Sequence, residues 1–311
     1  VLNFVASASH REGEWREALA RLGLHALVAF DSVAPPEDGE RRLYESLALL
    51  LERSRSQLQR LIEDHEAQRQ ARRQAGNRLI AELLIDCAAC RRSVAAQPAL
   101  EQGAISELRD AIRQREQRCV EALLRLYAFR SSDAKAADLP LLHGRWGDDL
   151  FNPETLKQLG IKVGGGMAAG AATGVGVDLL VGGITLGAAA ALGAVIGGSA
   201  QTLRNYGERL KGKLKGQREL TVDDAVLRLL ALRQQQLLAA LNVRGHAAMD
   251  AITLNAPQET LWRQGKLPAP LNVARAHPEW SSLNPGARLE EAERAEQVER
   301  LCSEIAMQLV G

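Results

Sequence analysis

The chain has 311 residues, of which 46% are hydrophobic and 25% are charged, a balance typical of folded rather than disordered proteins. Its formal net charge of +1 argues against a broadly basic surface, so we expect no general binding of nucleic acid. Four cysteines are too few for a disulfide framework in a chain of this length, which predicts a reducing, cytoplasmic setting. Aromatic residues make up only 4%, so the core must be built mainly from Leu, Ala, Val and Ile.

The first part of the chain alternates strand-like and helix-like segments. Residues 1–5 and 26–33 are apolar and rich in β-forming side chains, which predicts two buried strands. Residues 14–22 between them have helical spacing, and another helix is expected to begin near Glu40. Strand–helix–strand–helix at these lengths is typical of parallel α/β units. Because two strands do not make a stable open sheet, the remaining strands either lie outside this chain or the unit docks on the helical part.

The rest of the chain is mainly α-helical by its pattern. Residues 41–96 are predicted to form one long helix or two abutting helices, polar on all sides in the middle. Residues 105–129 and 288–310 have the spacing of amphipathic helices, and Thr221 is predicted to cap a helix that runs to Leu241. The predicted fold is therefore a long-helix bundle with a glycine-rich helical hairpin, preceded by a small α/β part.

The glycine-rich hairpin is predicted over Ile161 to Ala200, where Asp178 is the only charged residue after Lys162. Glycines recur there at four-residue spacing, which places them on one helix face where another backbone can approach closely. Each glycine costs an exposed helix about 1 kcal/mol relative to alanine, so we expect close packing to compensate. The predicted membrane-packing or helix-packing residues are Gly166, Gly170, Gly174, Gly183, Gly187, Gly193 and Gly197.

Two interpretations of this stretch stay open on the sequence. In the first it is a membrane-inserting hairpin, since about 20 apolar residues span a bilayer and the stretch is roughly twice as long. Basic residues on both sides favour two cytoplasmic ends, and a turn near residues 176–183 would place Asp178 at the tip. In the second, the hairpin is packed inside a soluble helical bundle. The basic flank that follows comprises Arg204, Arg209, Lys211, Lys213, Lys215 and Arg218.

The sequence contains no recognisable catalytic or metal-binding motif, and we assign no catalytic or metal-ligating residue. Residues 207–214, GERLKGKL, come near the phosphate-loop pattern, but Leu214 stands where that pattern needs a hydroxyl group for magnesium. We interpret this segment as part of the basic flank. Cys87 and Cys90 are predicted to be a pair of thiols in a helix core, since zinc sites need about four ligands.

Two carboxylates interrupt an otherwise apolar helical segment. Glu82 and Asp86 are four residues apart and therefore share one helix face. A di-metal carboxylate site would also need Glu-x-x-His partners, which the sequence lacks. We therefore predict that the two carboxylates pair with Arg78 or with Lys or Arg of another helix.

Two parts of the chain resemble known families. VLNFVAS followed by EWREALARLGLHALVAFDSVAPPEDGERRLYESL resembles the end of an Era-like GTPase domain: a penultimate strand, a helix, a last strand and a final helix. GRWGDDLFNPETLKQLGIKVGGG followed by GVDLLVGGITLGAAAALGA resembles the bacterial family called domain of unknown function 3482. That domain follows such a GTPase domain in one polypeptide, and the resemblance covers nearly the whole chain.

The resemblance implies that the phosphate-binding half of a GTPase lies upstream of Val1. GTP and magnesium are then cofactors of the full-length protein, with none expected in this chain. Asn3 would take the place of the guanine-reading Asn, although the residues after it depart from the usual Asn-Lys-x-Asp motif. Ser32 would lie near the base-side loop. We expect this chain alone not to hydrolyse GTP.

These expectations combine into one functional hypothesis and one alternative. Residues 1–53 are the last strand–helix–strand–helix part of a GTPase-like domain, and residues 54–311 are a helical domain with the hairpin at 161–200. The leading hypothesis is a GTPase-linked helical effector or membrane-coupling module, peripheral or integral at the cytoplasmic face of the inner membrane. Its expected partners are the upstream G domain and membrane lipid. The alternative is a soluble helical protein-interaction scaffold in which the hairpin is buried core.

Overall fold

The computed structural model describes residues 2–3, 11–24, 27–30, 38–95, 97–129, 141–142, 145–146, 149–152, 155, 161, 177–180, 217–243, 262 and 266–308. This part of the chain is mostly helical, which confirms the predicted fold class at that level. The chain divides into two compact units. Unit 1 comprises residues 1–75, 124–144 and 237–253, and unit 2 comprises residues 76–123, 145–236 and 254–311.

Unit 1 begins with a β–α–β arrangement. Strand β1 (Leu2–Asn3) pairs in parallel with β2 (Ala29–Phe30), and helix α1 (Glu12–Arg21) lies between them in sequence. Gly23 follows α1 with a φ of +76°, a left-handed conformation that glycine adopts readily at helix ends. Helix α2 (Gly39–Leu50) comes next. The order of elements agrees with the sequence pattern, although each strand has only two residues.

The segment predicted as one long helix or two abutting helices contains two helices and a strand. A 3₁₀ turn at Glu52–Ser54 separates α2 from α3 (Arg55–Ala89), which has 35 residues. Within unit 1, α2 folds back on the first part of α3: the ring of Tyr44 meets that of His65 edge to face, with centroids 5.6 Å apart. The remaining residues of the segment belong to strand β3 (Arg91–Ala95).

The core of unit 2 is built from the second part of α3, most of α4 (Pro98–Leu126) and the first part of α5 (Asp224–Val243). Leucine and isoleucine dominate it, as the composition predicted, and the tryptophans Trp262 and Trp280 are fully buried as well. The fully buried leucines and isoleucines of these helices include Ile80, Leu83, Leu84, Ile85, Leu108, Ile112, Leu123, Leu229 and Leu230.

The end of the chain adds two helices to unit 2. A short helix α6 (Ala269–Ala274) is followed by a 3₁₀ turn at Pro278–Trp280 and by α7 (Ala292–Gln308). Helix α7 confirms the closing amphipathic helix, because Val298, Leu301 and Ile305 are buried along one face while its acidic residues mostly face solvent.

A three-stranded antiparallel sheet in unit 2 was not predicted. After two-residue strands β4 (Leu141–Leu142, in unit 1) and β5 (Arg145–Trp146, in unit 2), the chain forms β6 (Val177–Leu180) and β7 (Gln217–Val222). The sheet has the order β3–β7–β6, so β7 pairs along both of its edges.

Strand β7 also corrects the predicted start of α5. Thr221 was expected to cap this helix, but it lies within the strand. Asp223 takes that role, because its Oδ1 accepts a hydrogen bond from the backbone N–H of Ala225 at 2.6 Å.

Strand β6 corrects the predicted turn of the glycine-rich hairpin. Residues 177–180 were expected at the turn between two helices, but they are extended and antiparallel to β7. The run from Val177 to Val181 contains no glycine, so it lacks the residue that most weakens strands and is free to pair. Apart from Ile161, the other residues of the stretch lie outside the described residues, and the predicted helical hairpin with them.

We predict that the buried leucines of α3 carry much of the stability of unit 2. Leu84→Ala removes a fully buried side chain and should lower the free energy of unfolding by about 2–5 kcal/mol. Met307→Ala is the matched control, since Met307 is 69% exposed in the same unit and should change stability by about 0.5 kcal/mol or less. Chemical denaturation followed by circular dichroism measures both. Equal midpoints for the two variants would contradict the assigned core.

Candidate functional site

Three described segments of unit 2 lie before, within and after the glycine stretch. Residues 145–146 and 149–152 precede the stretch, β6 lies within it, and β7 follows the basic flank. We call these three segments and the side chains that hold them the anchoring site. Both functional hypotheses depend on how this site holds the stretch.

The segment before the stretch is held by two arginines of α4. Phe151 is buried, and the guanidinium carbons of Arg109 and Arg113 lie 5.3 and 5.0 Å from its ring centroid. Arg113 also donates from Nε and Nη2 to the two carboxylate oxygens of Asp149, each at 3.1 Å. Burial acts to raise the pKa of Asp149, but the hydrogen bonds and charge of Arg113 outweigh it and lower that pKa overall. The cluster therefore fixes Asp149 and Phe151 against α4.

A second arginine–aromatic contact lies on α5. The guanidinium carbon of Arg233 is 5.4 Å from the ring centroid of Trp146, and its Nη1 is 3.7 Å from Oε1 of the buried Glu116. Gln234 donates from Nε2 to the same oxygen at 3.3 Å. Burial raises the pKa of Glu116 to about 7, although the positive charge of Arg233 acts in the opposite direction. A carboxyl group that titrates near neutral pH thus lies beside the anchoring segment.

The strand after the stretch is held from the C-terminal part of the chain. Arg275 donates from Nη2 to the carbonyl oxygen of Val222 at 3.0 Å and also pairs with Asp224. Arg91 of β3 lies 3.0 Å from Glu219 of β7 and donates to the carbonyl oxygen of Arg275. These bonds join both β3 and β7 to Arg275.

Asp86 is the centre of a buried polar network at the end of α3. Its carboxylate accepts hydrogen bonds from Nε of Arg115 at 2.5 Å, from Oγ of Ser282 at 2.7 Å and from the backbone N–H of Ser282. Glu82, one turn earlier, pairs with Arg294 of α7, while Arg78 pairs with Glu299 instead. The prediction that both carboxylates pair with basic residues is thereby confirmed, and their partners come from other helices.

Asn284 closes the junction between α3 and β3. Its Nδ2 donates to the carbonyl oxygens of Ala89 and Pro278, at 3.1 and 2.8 Å. Its Oδ1 accepts from the backbone N–H of Arg91 at 3.0 Å and from Nη1 of Arg92 at 2.9 Å. One side chain therefore satisfies a helix-end carbonyl and a strand N–H, where the backbone changes from helix to strand.

The residues predicted as sites are mostly outside the described part of the chain. The structure gives the backbone of Asn3 in β1 and of Arg218 in β7. The other predicted residues lie outside it: Ser32, Gly166, Gly170, Gly174, Gly183, Gly187, Gly193, Gly197, Arg204, Arg209, Lys211, Lys213 and Lys215. Their assignments stay predictions.

The cysteines have the properties of core residues. Cys87 and Cys90 are both buried, as predicted, although Cys90 follows the last residue of α3 and is not within the helix. Burial raises the pKa of Cys90 to about 11. Among the described residues, no group of three or more His, Cys, Asp or Glu side chains is arranged to hold a metal ion. Within the same residues, no helix combines the length and apolar character that a bilayer span needs.

Sequence reasoning missed the anchoring arginines. Arg109 and Arg113 are four residues apart on α4, beside the buried Leu108 and Ile112. Two cations at the border of an apolar helix face would have indicated an acidic or aromatic partner nearby. The partners themselves, Asp149 and Phe151, were not recoverable because no pattern sets their register against α4.

A model of the family described as domain of unknown function (DUF3482) matches residues 16–303. This chain belongs to the DUF3482 family. No curated protein and no solved structure matches it. The family match begins within α1 and runs through β2, α2 and the whole anchoring site. The match does not link the chain to an Era-like GTPase. That resemblance stays a prediction, as does the domain boundary at residue 53.

We predict that Asp86 is essential to the packing of this DUF3482 domain. Asp86→Ala leaves Arg115 without its buried partner and should lower the free energy of unfolding by about 3–5 kcal/mol. Glu296→Ala is the control, because the Glu296–Arg300 pair is 56% exposed on both sides and should contribute about 0–1 kcal/mol. Urea denaturation of both variants measures the difference. A loss for Asp86→Ala no larger than for the control would rule out the proposed role.

We predict that Glu116 makes stability depend on pH. Its pKa rises from the ordinary 4.5 to about 7, so its favourable contribution is complete below about pH 4.5 and lost as pH rises through 7. Relative to Glu116→Gln, the unmodified chain should therefore lose roughly 3 kcal/mol between pH 4.5 and 8. Unfolding free energies across this range measure it, with Glu107→Gln as a control at an exposed position of α4. Parallel curves for the chain and Glu116→Gln would contradict the assignment.

Proposed function

We propose that this DUF3482 chain is a helical effector of a GTPase-linked protein and couples an upstream G domain to a membrane through the glycine stretch. The observation that carries the proposal is α3, a continuous helix of 35 residues with its first part in unit 1 and its second in unit 2. At 1.5 Å per residue such a helix is about 50 Å long. A displacement of its first turn would therefore be carried toward its last turn along one continuous helix.

The short sheet and the exposed apolar side chains at the start of unit 1 support an upstream α/β domain as a partner. A two-stranded sheet is marginal by itself, and β1 and β2 have two residues each. The apolar side chains of Trp15, Leu22 and Leu24 near α1 are 51%, 75% and 55% exposed. Side chains of this size are normally covered in an α/β layer. Further strands of a G domain, supplied by the same polypeptide, would pair with this sheet and cover them, with GTP and magnesium bound there.

The hydrogen bonds at the end of α3 support an effect of its position on the anchoring site. Asp86 and Asn284 tie its last turns to the C-terminal segment, and that segment holds β7 through Arg275. A shift of α3 along its axis would disturb these bonds, because charge-assisted and backbone hydrogen bonds depend steeply on geometry. The glycine stretch would thereby respond to the nucleotide state of the G domain.

The membrane is proposed from the sequence of the stretch and its flanks. Small residues at four-residue spacing suit close helix packing in lipid, and the basic flank from Arg204 to Arg218 suits an anionic cytoplasmic surface. The proposed location is accordingly the cytoplasmic face of the inner membrane.

A second candidate is a soluble helical interaction scaffold, in which the stretch is packed against protein. The pairing of β6 with β7 favours it, because residues 177–180 then belong to a sheet of unit 2. The two candidates differ in whether the stretch ever enters lipid.

Flotation with vesicles of phosphatidylethanolamine and phosphatidylglycerol distinguishes them. We expect part of the chain to float, and a larger part of a Gly170→Leu, Gly187→Leu variant, since two leucines add about 1 kcal/mol of insertion free energy, or roughly fivefold in partition. Gly103→Leu is the control, because Gly103 lies on α4 and an added Cβ there meets no atom within 4 Å. If the chain and the double variant both stay soluble, with the upstream domain and nucleotide present, the scaffold function replaces the membrane function.

A further inference from the structure

The register of β6 against β7 places residues 177–180, in the middle of the glycine stretch, opposite residues 219–222. Val177 is the Cα partner of Val222, Asp178 of Thr221, Leu179 of Leu220 and Leu180 of Glu219. Directly opposed residues of antiparallel strands lie about 4.5–5.5 Å apart at Cα. Asp178 is therefore one strand spacing away from Thr221.

This placement is incompatible with a two-pass membrane hairpin. A hairpin with both ends on one side and Asp178 at its tip needs the tip about 30 Å from its flanks, the thickness of the hydrocarbon core. Thr221 lies three residues after Arg218, the last residue of the basic flank, and three strand residues extend only about 10 Å. Asp178 cannot both pair with Thr221 and lie beyond the far side of a bilayer.

Of the two neighbours of β7, β6 is the one with fewer constraints. β3 continues directly from α3, pairs with β7 over five positions and is held by Asn284 and by the bond from Arg92 to Leu283. β6 pairs over four positions and is flanked on both sides by the glycine stretch. Arg275 bonds to Val222 and stays with β7 when β6 leaves.

We infer that β6 is a latch: its pairing with β7 keeps the glycine stretch out of the membrane, and insertion requires its release. This inference rests on the membrane-coupling function proposed above. The latched state is the one described here, in which residues 177–180 complete a sheet of unit 2. In the released state the same residues form the tip of the inserted hairpin, and β7 keeps β3 as its neighbour.

A disulfide across the two strands tests the latch. We choose Asp178→Cys with Thr221→Cys, because opposed residues have the Cα separation that a disulfide needs, and the Thr221 hydroxyl has no hydrogen-bond partner among the described residues. Oxidation of the full chain should form the cross-link, detected as a linked peptide by mass spectrometry without reductant. The four native cysteines are buried, and each single variant controls for pairing with them.

The readout is flotation of oxidised and reduced protein with the same vesicles as above. We expect the reduced double variant to float as its single variants do, and the oxidised form to lose flotation at least tenfold. Equal flotation of oxidised and reduced forms would overturn the latch while leaving the membrane function intact. Failure of the cross-link to form would overturn the β6–β7 pairing on which the latch depends. Absence of flotation in every form, reduced and single variants included, would overturn the membrane function and the latch together.

Discussion

The pairing of β7 along both edges is the interaction on which the rest of unit 2 depends. It brings together residues 91–95, 177–180 and 217–222, which are far apart in sequence. Leu220 and Val222 are buried, so the backbone groups of β7 have little access to water and need strand partners. One strand thereby determines where α3 ends, where α5 begins and where the middle of the glycine stretch lies.

The buried polar network at the end of α3 carries a desolvation cost that apolar side chains would not. A buried carboxylate such as Asp86 is tolerated only when charge and hydrogen bonds compensate for its lost hydration, and Arg115 and Ser282 supply both. The same network would be unnecessary if α3 only had to be covered, since apolar side chains would do that at lower cost. Its directional bonds instead fix the axial position of the last turns of α3 against α4 and the C-terminal segment.

The sequence was sufficient for elements with a local signal. The amphipathic spacing of residues 288–310 predicted α7, and the alternation at the start predicted the β–α–β order, because both patterns are read within a few turns of chain. It was insufficient where the partner is remote. Arg91–Ala95 has no apolar alternation and becomes a strand only because β7 pairs with it, and Asp178 was placed at a turn because its partner, Thr221, lies over forty residues away. The role of the anchoring arginines was not predicted for the same reason, since their aromatic partners come from another element.

The proposed latch would make the lipid-exposed and protein-packed interpretations of the glycine stretch two states of one chain. Glycine and alanine gain little on transfer to lipid, so insertion of such a stretch is close to balanced. Release of β6 exposes one edge of β7, whose unpaired backbone groups oppose it. A balance of this kind shifts almost completely with about 5.5 kcal/mol of differential binding, which is what the proposed upstream domain would have to supply through α3. A more apolar stretch would insert without control, and a longer β6 would never release, so the short strand and the glycine-rich composition suit the same regulated step.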